Sequence, residues 1–163
     1  MPNGDAQSKA RIGTPVKSAK ILIVDDEYST RKIVRALLAS MGAAKIYDAA
    51  DGASGLEAIR TLSPDVVLLD WDMPGMDGTE FTRRVRSPGT CPCPNVPIIM
   101  LTSHRNRARV MEAVRLGIHE FLLKPVSSGA LLERIESVLA KPRPMMHRGG
   151  HDDPLPRKRA AYK

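Results

Sequence analysis

Five short apolar runs alternate with five segments of helical spacing between residues 20 and 140, and this alternation limits the folds open to the chain. The predicted strands are 20–26, 44–50, 64–70, 96–102 and 118–124. The predicted helices that follow them are 33–42, 53–62, 79–86, 108–117 and 130–140. Asp51 and Ser127 precede two of these helices and are typical N-caps. Strand–helix units in succession predict an α/β domain with a parallel sheet that is covered by helices on both faces.

The two ends of the chain differ from this middle in composition. Residues 1–19 and 141–163 are rich in proline, glycine and basic residues, and they lack apolar periodicity. We therefore predict a flexible N-terminal tail at 1–19, one domain at 20–140 and a disordered basic tail at 141–163. The net charge of +7 belongs to these tails, because residues 20–140 carry 15 basic and 15 acidic side chains. The excess charge thus does not indicate a nucleic-acid-binding domain.

No apolar run in the sequence is long enough to cross a membrane. The longest runs have four or five residues, whereas a span needs roughly 20. The first 19 residues contain no apolar signal segment. Cys91 and Cys93 are too close for an unstrained disulfide, and no second cysteine pair completes a metal site. We expect a soluble, cytoplasmic protein with free thiols.

Polar side chains stand at the C-terminal ends of four predicted strands. The first strand ends in Asp25 and Asp26, the third in Asp70, the fourth in Thr102 and the fifth in Lys124. Ligands of open parallel sheets bind beyond the carboxyl ends of the strands, where the strand order reverses. Three carboxylates, a hydroxyl and an ammonium group are therefore expected on one rim of the sheet.

The charge of this cluster indicates its chemistry. Two carboxylates about 5 Å apart repel each other by roughly 3 kcal/mol at an effective dielectric constant near 20. Either the pKa of one of these carboxyl groups is raised or the cluster binds a cation. Oxygen ligands suit Mg²⁺ better than zinc. Mg²⁺ beside a lysine and a free carboxylate provides the parts for phosphoryl transfer, with the carboxylate as nucleophile. Asp70 is placed to be that nucleophile.

The motifs around these residues resemble those of the receiver domain of two-component response regulators. The resemblance covers about residues 20–140 and rests on ILIVDDE, VVLLDWDMPGMDG, IIMLTSH and EFLLKP, in this order. It implies the flavodoxin-like, doubly wound (βα)5 fold, with a five-stranded parallel sheet in the order 2-1-3-4-5. The chain is most similar to the single-domain chemotaxis regulators, since the segment 141–163 is too short for a DNA-binding output module.

The resemblance also implies a reaction. Asp70 would accept a phosphoryl group from a histidine kinase or a phosphotransfer protein and form an aspartyl phosphate. Asp26 and Asp70 would bind Mg²⁺ directly, Asp25 would bind it through water, and Asp72 would contribute its backbone carbonyl. Such a protein is a signalling protein, not an enzyme in the usual sense, although it takes part in its own phosphorylation and dephosphorylation.

Phosphorylation would then act as a switch. Lys124 would pair with the phosphoryl oxygens, and its bond to Pro125 would be cis. Thr102 would move in to donate a hydrogen bond to the phosphoryl group, and Phe121 would turn into the vacated space. The surface of the fourth predicted helix, fifth strand and fifth helix would bind a downstream protein.

Some residues depart from the family pattern or leave alternatives open. Phe121 stands where many relatives have tyrosine, so a signal that needs a phenolic hydroxyl is lost. Asp72 and His104 occupy positions that tune the lifetime of the phosphate in this family. The arginine-rich stretch HRNRAR at 104–109 is either a docking or phosphate-attracting element or a solvated polar face.

Two other functions remain open from the sequence. A degenerate receiver would act as a scaffold that does not depend on phosphate. Alternatively, the pair formed by Asp70 and Asp72 resembles the DxD pair of haloacid-dehalogenase-type phosphatases, although in that family the pair normally follows the first strand. Multiple turnovers of phosphoester substrates would favour the phosphatase.

Overall fold

The computed structural model describes residues 15–87, 89–140, 145–148 and 151–154. The helices in this part of the chain are α1 (Pro15–Ser18), α2 (Tyr28–Ser40), α3 (Gly52–Leu62), α4 (Gly78–Arg86), α5 (Arg107–Arg115) and α6 (Ser128–Ala140). The strands are β1 (Lys20–Val24), β2 (Lys45–Ala49), β3 (Val66–Asp70), β4 (Ile98–Thr102), β5 (Glu120–Leu123), β6 (Met145–Arg148) and β7 (His151–Pro154). None of the described helices has the length and apolar character of a membrane span.

The five strands β1 to β5 form one parallel sheet in the order β2-β1-β3-β4-β5. The order reverses between β1 and β3, which pair with Val24 opposite Leu69. This is the predicted α/β, flavodoxin-like, doubly wound fold, and the prediction is confirmed. The carboxyl ends of β1 and β3 are adjacent at the reversal, so residues that follow these strands meet there.

Strand β3 lies at the centre of the sheet and is buried on both faces. Val66 and Leu68 pack into a cluster with α2 and α6 on one face. Val67 and Leu69 pack into a cluster with α3, α4 and α5 on the other face. Alternate side chains of a strand point to opposite faces, so a strand between two helical layers requires a continuous apolar run. The run that ends in Asp70 therefore fixes that carboxylate at the rim.

Both predicted helix caps are present. The Asp51 carboxylate accepts a hydrogen bond from the N–H of Ser54 at 2.7 Å, before α3. This hydrogen bond holds the pKa of Asp51 below its ordinary value. The hydroxyl of Ser127 accepts a hydrogen bond from the N–H of Ala130 at 3.3 Å, before α6. Each cap satisfies a backbone donor that the first helical turn leaves free.

The N-terminal boundary of the domain is earlier than the sequence predicts. Residues 15–19, assigned to the tail, contain α1, which contacts α6. Val16 is fully buried and Ala19 is buried in the same cluster as the inner side chains of α6. Two apolar residues three positions apart form one small apolar face, and a four-residue helix is too short for helical periodicity to be recognised. Residues 1–14 of the predicted tail lie outside the described residues.

The C-terminal segment also differs from its prediction. Within 141–163, strands β6 and β7 form an antiparallel pair with Arg148 opposite His151. The structure thus assigns two paired strands within a segment that the sequence predicts to be disordered. The rest of this segment lies outside the described residues.

Candidate functional site

The structure brings three carboxylates together at the carboxyl ends of β1 and β3. One carboxylate oxygen each of Asp25, Asp26 and Asp70 lies within 4.8 Å of the other two. Asp25 is fully buried and Asp70 is 4% exposed, whereas Asp26 is exposed. Asp70 is the last residue of β3, and Asp25 directly follows β1. The topological rule for parallel sheets thus located the cluster correctly.

Lys124 joins this cluster from the end of β5. Its ammonium Nζ lies 3.0 Å from Asp25 Oδ2 and 3.2 Å from Asp70 Oδ1. The bond from Lys124 to Pro125 is cis. Burial works to lower the pKa of Lys124, but the hydrogen bond and charge of Asp25 and the charge of Asp70 raise it above its ordinary value. Lys124 therefore stays protonated and partly neutralises the acidic cluster.

The cluster still carries more negative than positive charge. Burial, and then the neighbouring charge of Asp25, raise the pKa of Asp70 to about 6, although Lys124 acts in the opposite direction. A divalent cation would compensate the two carboxylate charges that Lys124 leaves unbalanced. The donors are all oxygen atoms, one on an exposed side chain, which suits a small, partly hydrated ion such as Mg²⁺. The residues present therefore fit Mg²⁺.

Thr102 and Phe121 lie on neighbouring strands beside the cluster. Thr102 ends β4 and is fully buried. Its hydroxyl accepts a hydrogen bond from the N–H of His104 at 3.2 Å. Phe121 lies on β5 opposite Met100 of β4 and packs, half-buried, against the cluster of apolar residues around α5. The sheet thus places the two residues near each other, on adjacent strands.

Asp72 takes part in contacts that the sequence analysis did not predict. Its carboxylate pairs with the guanidinium of Arg109 and lies 3.5 Å from His104 Nδ1. Its N–H donates a hydrogen bond to Asp70 Oδ1 at 3.3 Å. The arginine-rich stretch at 104–109 indicated a cation beside the acidic site, but nothing in the sequence says which acid it meets.

Arg31 is a second residue of the site that the sequence analysis missed. Its guanidinium donates hydrogen bonds to the backbone carbonyl of Asp25 at 2.8 Å and to Asp48 Oδ2 at 3.1 Å. The same group lies 5.6 Å from the centre of the Tyr28 ring. Arg31 therefore holds the backbone from which the two acids after β1 project. The sequence signal for this role is the position of Arg31 in the first turn of α2, close in sequence to the two acids that follow β1.

The proline-rich loop between α4 and β4 enters the sheet at the amino end of β4, opposite the acidic cluster. The buried guanidinium of Arg86 donates hydrogen bonds to the carbonyls of Pro94 at 2.7 Å and Gly117 at 2.8 Å. Cys91 and Cys93 are free thiols, and burial raises the pKa of Cys91. The loop is thus held by a backbone-binding arginine, and its thiols lie far from the rim with Asp70.

The position of Trp71, next to Asp70, depends on a close approach of Gly78. A Cβ atom at Gly78 would lie 2.3 Å from Trp71 Cε3 and 2.9 Å from Trp71 Cα. We expect Gly78→Ala to lower the free energy of unfolding by about 1–3 kcal/mol, because this contact includes backbone and cannot relax easily. Urea unfolding followed by circular dichroism measures the change. The control is Gly129→Ala in α6, where an added Cβ meets nothing within 4 Å; an equal loss in both variants would contradict the argument.

The comparisons with known proteins agree with this geometry. The model of the response regulator receiver domain matches residues 21–136. The chain is 31% identical over 125 residues to chemotaxis protein CheY-3 of Vibrio cholerae, covering 77% of this chain and 95% of that protein. It is 33% identical over 122 residues to chemotaxis protein CheY of Pseudomonas aeruginosa, covering 75% of this chain and 97% of that protein.

Solved structures give the same result. Chemotaxis protein CheY4 of Vibrio cholerae superimposes with a TM-score of 0.68 at 34% identity, covering 74% of this chain and 98% of that one. The receiver domain of NtrX from Brucella abortus has a TM-score of 0.67 at 30% identity, covering 75% of this chain and 99% of that one. The chain belongs to the receiver domain family of two-component response regulators.

Proposed function

We propose that this response regulator accepts a phosphoryl group on Asp70 from a histidine kinase or a phosphotransfer protein. The observation that carries the proposal is the placement of the Asp70 carboxylate within 4.8 Å of two other carboxylates and 3.2 Å from the ammonium group of Lys124. Receiver domains are phosphorylated at an acidic cluster of this kind, with Mg²⁺. The family membership argues against the phosphatase alternative.

Each residue of the cluster has a role in this reaction. A carboxylate oxygen of Asp70 attacks the phosphorus atom, and the bond from phosphorus to the donor's leaving group breaks with its electron pair on the leaving group. Lys124 neutralises charge on the phosphoryl oxygens. Asp26, Asp70 and the backbone carbonyl of Asp72 would hold Mg²⁺, with Asp25 acting through water. When bound, Mg²⁺ supplies further positive charge next to the reacting oxygens.

The same cluster supports chemistry without a partner protein. A small acyl phosphate needs no docking surface to reach the rim, because Asp26 is exposed there and Asp70 beside it keeps 4% of its surface exposed. We infer that the protein phosphorylates itself from such a donor and hydrolyses its own aspartyl phosphate.

The output is a change in protein binding. The hydroxyl of Thr102 would leave the N–H of His104 and donate to the phosphoryl group, and Phe121 would pack into the vacated space. The affected surface consists of α5, β5 and α6, where Met111 is 42% exposed. A downstream protein would bind there, and the chemotaxis proteins among the relatives support a cytoplasmic signalling role of this kind.

The test is Mg²⁺-dependent labelling. We expect incubation of the wild-type protein with Mg²⁺ and acetyl phosphate to add one phosphoryl group, measured by intact-protein mass spectrometry. Chelation of Mg²⁺ should prevent the addition, because the three clustered carboxylates then repel the anionic donor. A protein that binds no phosphoryl group under these conditions would instead be the phosphate-independent scaffold.

A further inference from the structure

Two loops meet above the acidic cluster. The acceptor loop, residues 71–77, connects β3 to α4, and the switch loop, residues 103–106, connects β4 to α5. Each loop contacts the residue at the end of its strand through a backbone hydrogen bond. The N–H of Asp72 donates to Asp70 Oδ1 at 3.3 Å, and the N–H of His104 donates to the Thr102 hydroxyl at 3.2 Å.

One side chain from α5 bridges these loops. The guanidinium of Arg109 pairs with Asp72 of the acceptor loop and lies 3.5 Å from His104 Nδ1 of the switch loop. The imidazole of His104 also lies 3.5 Å from Asp72 Oδ2. Arg109 and Asp72 are each about one-third exposed at 34%, so water weakens this ion pair without removing it.

We propose that Arg109 is a positioning residue that ties the acceptor loop to the switch loop and holds Thr102 in its resting position. This inference rests on the proposed function, because the resting position is the one that Thr102 leaves when Asp70 is phosphorylated. The tether acts on the equilibrium between the resting and the switched arrangement, and it takes no part in the transfer of the phosphoryl group.

The contacts around Thr102 explain why the tether opposes the switch. In the resting arrangement the Thr102 hydroxyl accepts a hydrogen bond from the N–H of His104. When Thr102 moves toward Asp70 this bond breaks, and the switch loop, which the bond held in place, shifts. The switch loop is joined to α5 by Asn106, whose Oδ1 accepts hydrogen bonds from the N–H groups of Ala108 at 3.0 Å and Arg109 at 3.3 Å. Displacement of the loop therefore moves the first turn of α5 and strains or breaks the pair between Arg109 and Asp72.

The test is the affinity for beryllofluoride, a phosphoryl mimic, in saturating Mg²⁺. Trp71 follows Asp70, is 3% exposed and is the one tryptophan of the chain, so its fluorescence reports binding. We expect Arg109→Gln to lower the half-saturating beryllofluoride concentration by about two- to fivefold, which is the contribution of a partly exposed ion pair to the resting state. The matched control is Arg107→Gln on the same helix; Arg107 is exposed and makes no ion pair among the described residues. Its half-saturating concentration should not change.

An increase in the half-saturating beryllofluoride concentration of Arg109→Gln would overturn the proposal. If the guanidinium of Arg109 attracts or contacts the phosphoryl group, Arg109→Gln weakens beryllofluoride binding. An unchanged affinity would also contradict the tether. Asp72→Asn provides a further check. In the Asp72→Asn protein, Arg109→Gln should not change the beryllofluoride affinity any further, because the ion pair is already lost. If the positive charge of Arg109 acted only through its general electric field, Arg109→Gln would still change the affinity.

Amide hydrogen exchange separates failure of the tether from failure of the proposed function. In the absence of Mg²⁺ and beryllofluoride, Arg109→Gln and Asp72→Asn should speed exchange at residues 104–110 by about two- to fivefold, and Arg107→Gln should not. If the wild-type protein does not bind beryllofluoride, the proposed function fails, and this exchange pattern still decides whether the tether exists. Equal exchange in all three variants would refute the tether even where the mimic binds.

Discussion

Replacement of Asp70 with asparagine should abolish the incorporation of a phosphoryl group from acetyl phosphate in Mg²⁺. The amide has nearly the shape of the carboxylate but is not a nucleophile toward phosphorus, so the attack cannot occur. Intact-protein mass spectrometry of Asp70→Asn and the wild-type protein, under identical conditions, measures the difference. Full labelling of the variant would show that another residue is the acceptor.

A control shows whether Asp70→Asn retains the fold. Ionised Asp70 is buried beside Asp25, and its pKa is raised to about 6, so removal of its charge relieves repulsion in the metal-free protein. We expect the free energy of unfolding in urea at pH 7 to increase, on the order of 1 kcal/mol. Loss of labelling in a variant that is at least as stable as the wild type would assign the loss to chemistry. A less stable variant would contradict this electrostatic account.

Replacement of Lys124 with methionine should strongly destabilise the metal-free protein. The change removes the ammonium group that lies 3.0 Å from Asp25 and 3.2 Å from Asp70, and it leaves two buried carboxylates without that partner. We expect a loss of about 2–3 kcal/mol in the free energy of unfolding, since removal of one member of a buried ion pair leaves uncompensated charge. Urea unfolding in the presence of a chelator measures it. Lys32→Met, at an exposed position in α2, is the matched control and should have little effect.

Two further measurements identify the cause of this loss. Mg²⁺ should restore part of the stability of Lys124→Met, because a bound cation compensates the same carboxylates. In the Asp70→Asn protein, Lys124→Met should lower the free energy of unfolding by less than it does in the wild type. Only one of the two buried carboxylates then remains to lose its partner. Equal costs in both backgrounds would mean that Lys124 stabilises the fold through packing of its aliphatic chain.

The architecture was predictable because the strands are buried on both faces. A strand such as Val66–Asp70, between two helical layers, must be apolar at every position before its end. The helices between the strands are recognised separately, because their apolar residues recur at helical spacing. The boundaries were less predictable. Val96 is buried and apolar like the strand that follows it, yet β4 begins at Ile98, because backbone pairing, not burial, defines a strand.

The acidic cluster was predictable for a related reason. In a parallel sheet the strand ends share one rim, so Asp26, Asp70 and Lys124 could be placed together without knowledge of any loop. The pair formed by Arg109 and Asp72 could not, since it depends on the conformations of two loops that no periodicity encodes. The same holds for Arg31, whose contacts depend on the direction in which a side chain of α2 points.

The central position of β3 has a mechanical consequence. Every residue of this strand is buried and it has a bonded neighbour on each side, whereas β5 is at the edge of the sheet and only Leu122 among its residues is buried. The carboxylate of Asp70, the proposed acceptor, thus lies at the end of a strand that is paired on both sides, whereas the surface proposed to report the reaction includes a strand that is paired on one side only. Phosphorylation changes only a few atoms at the end of β3. We expect such a change to deform the edge strand β5 while β3 at the centre of the sheet keeps its shape.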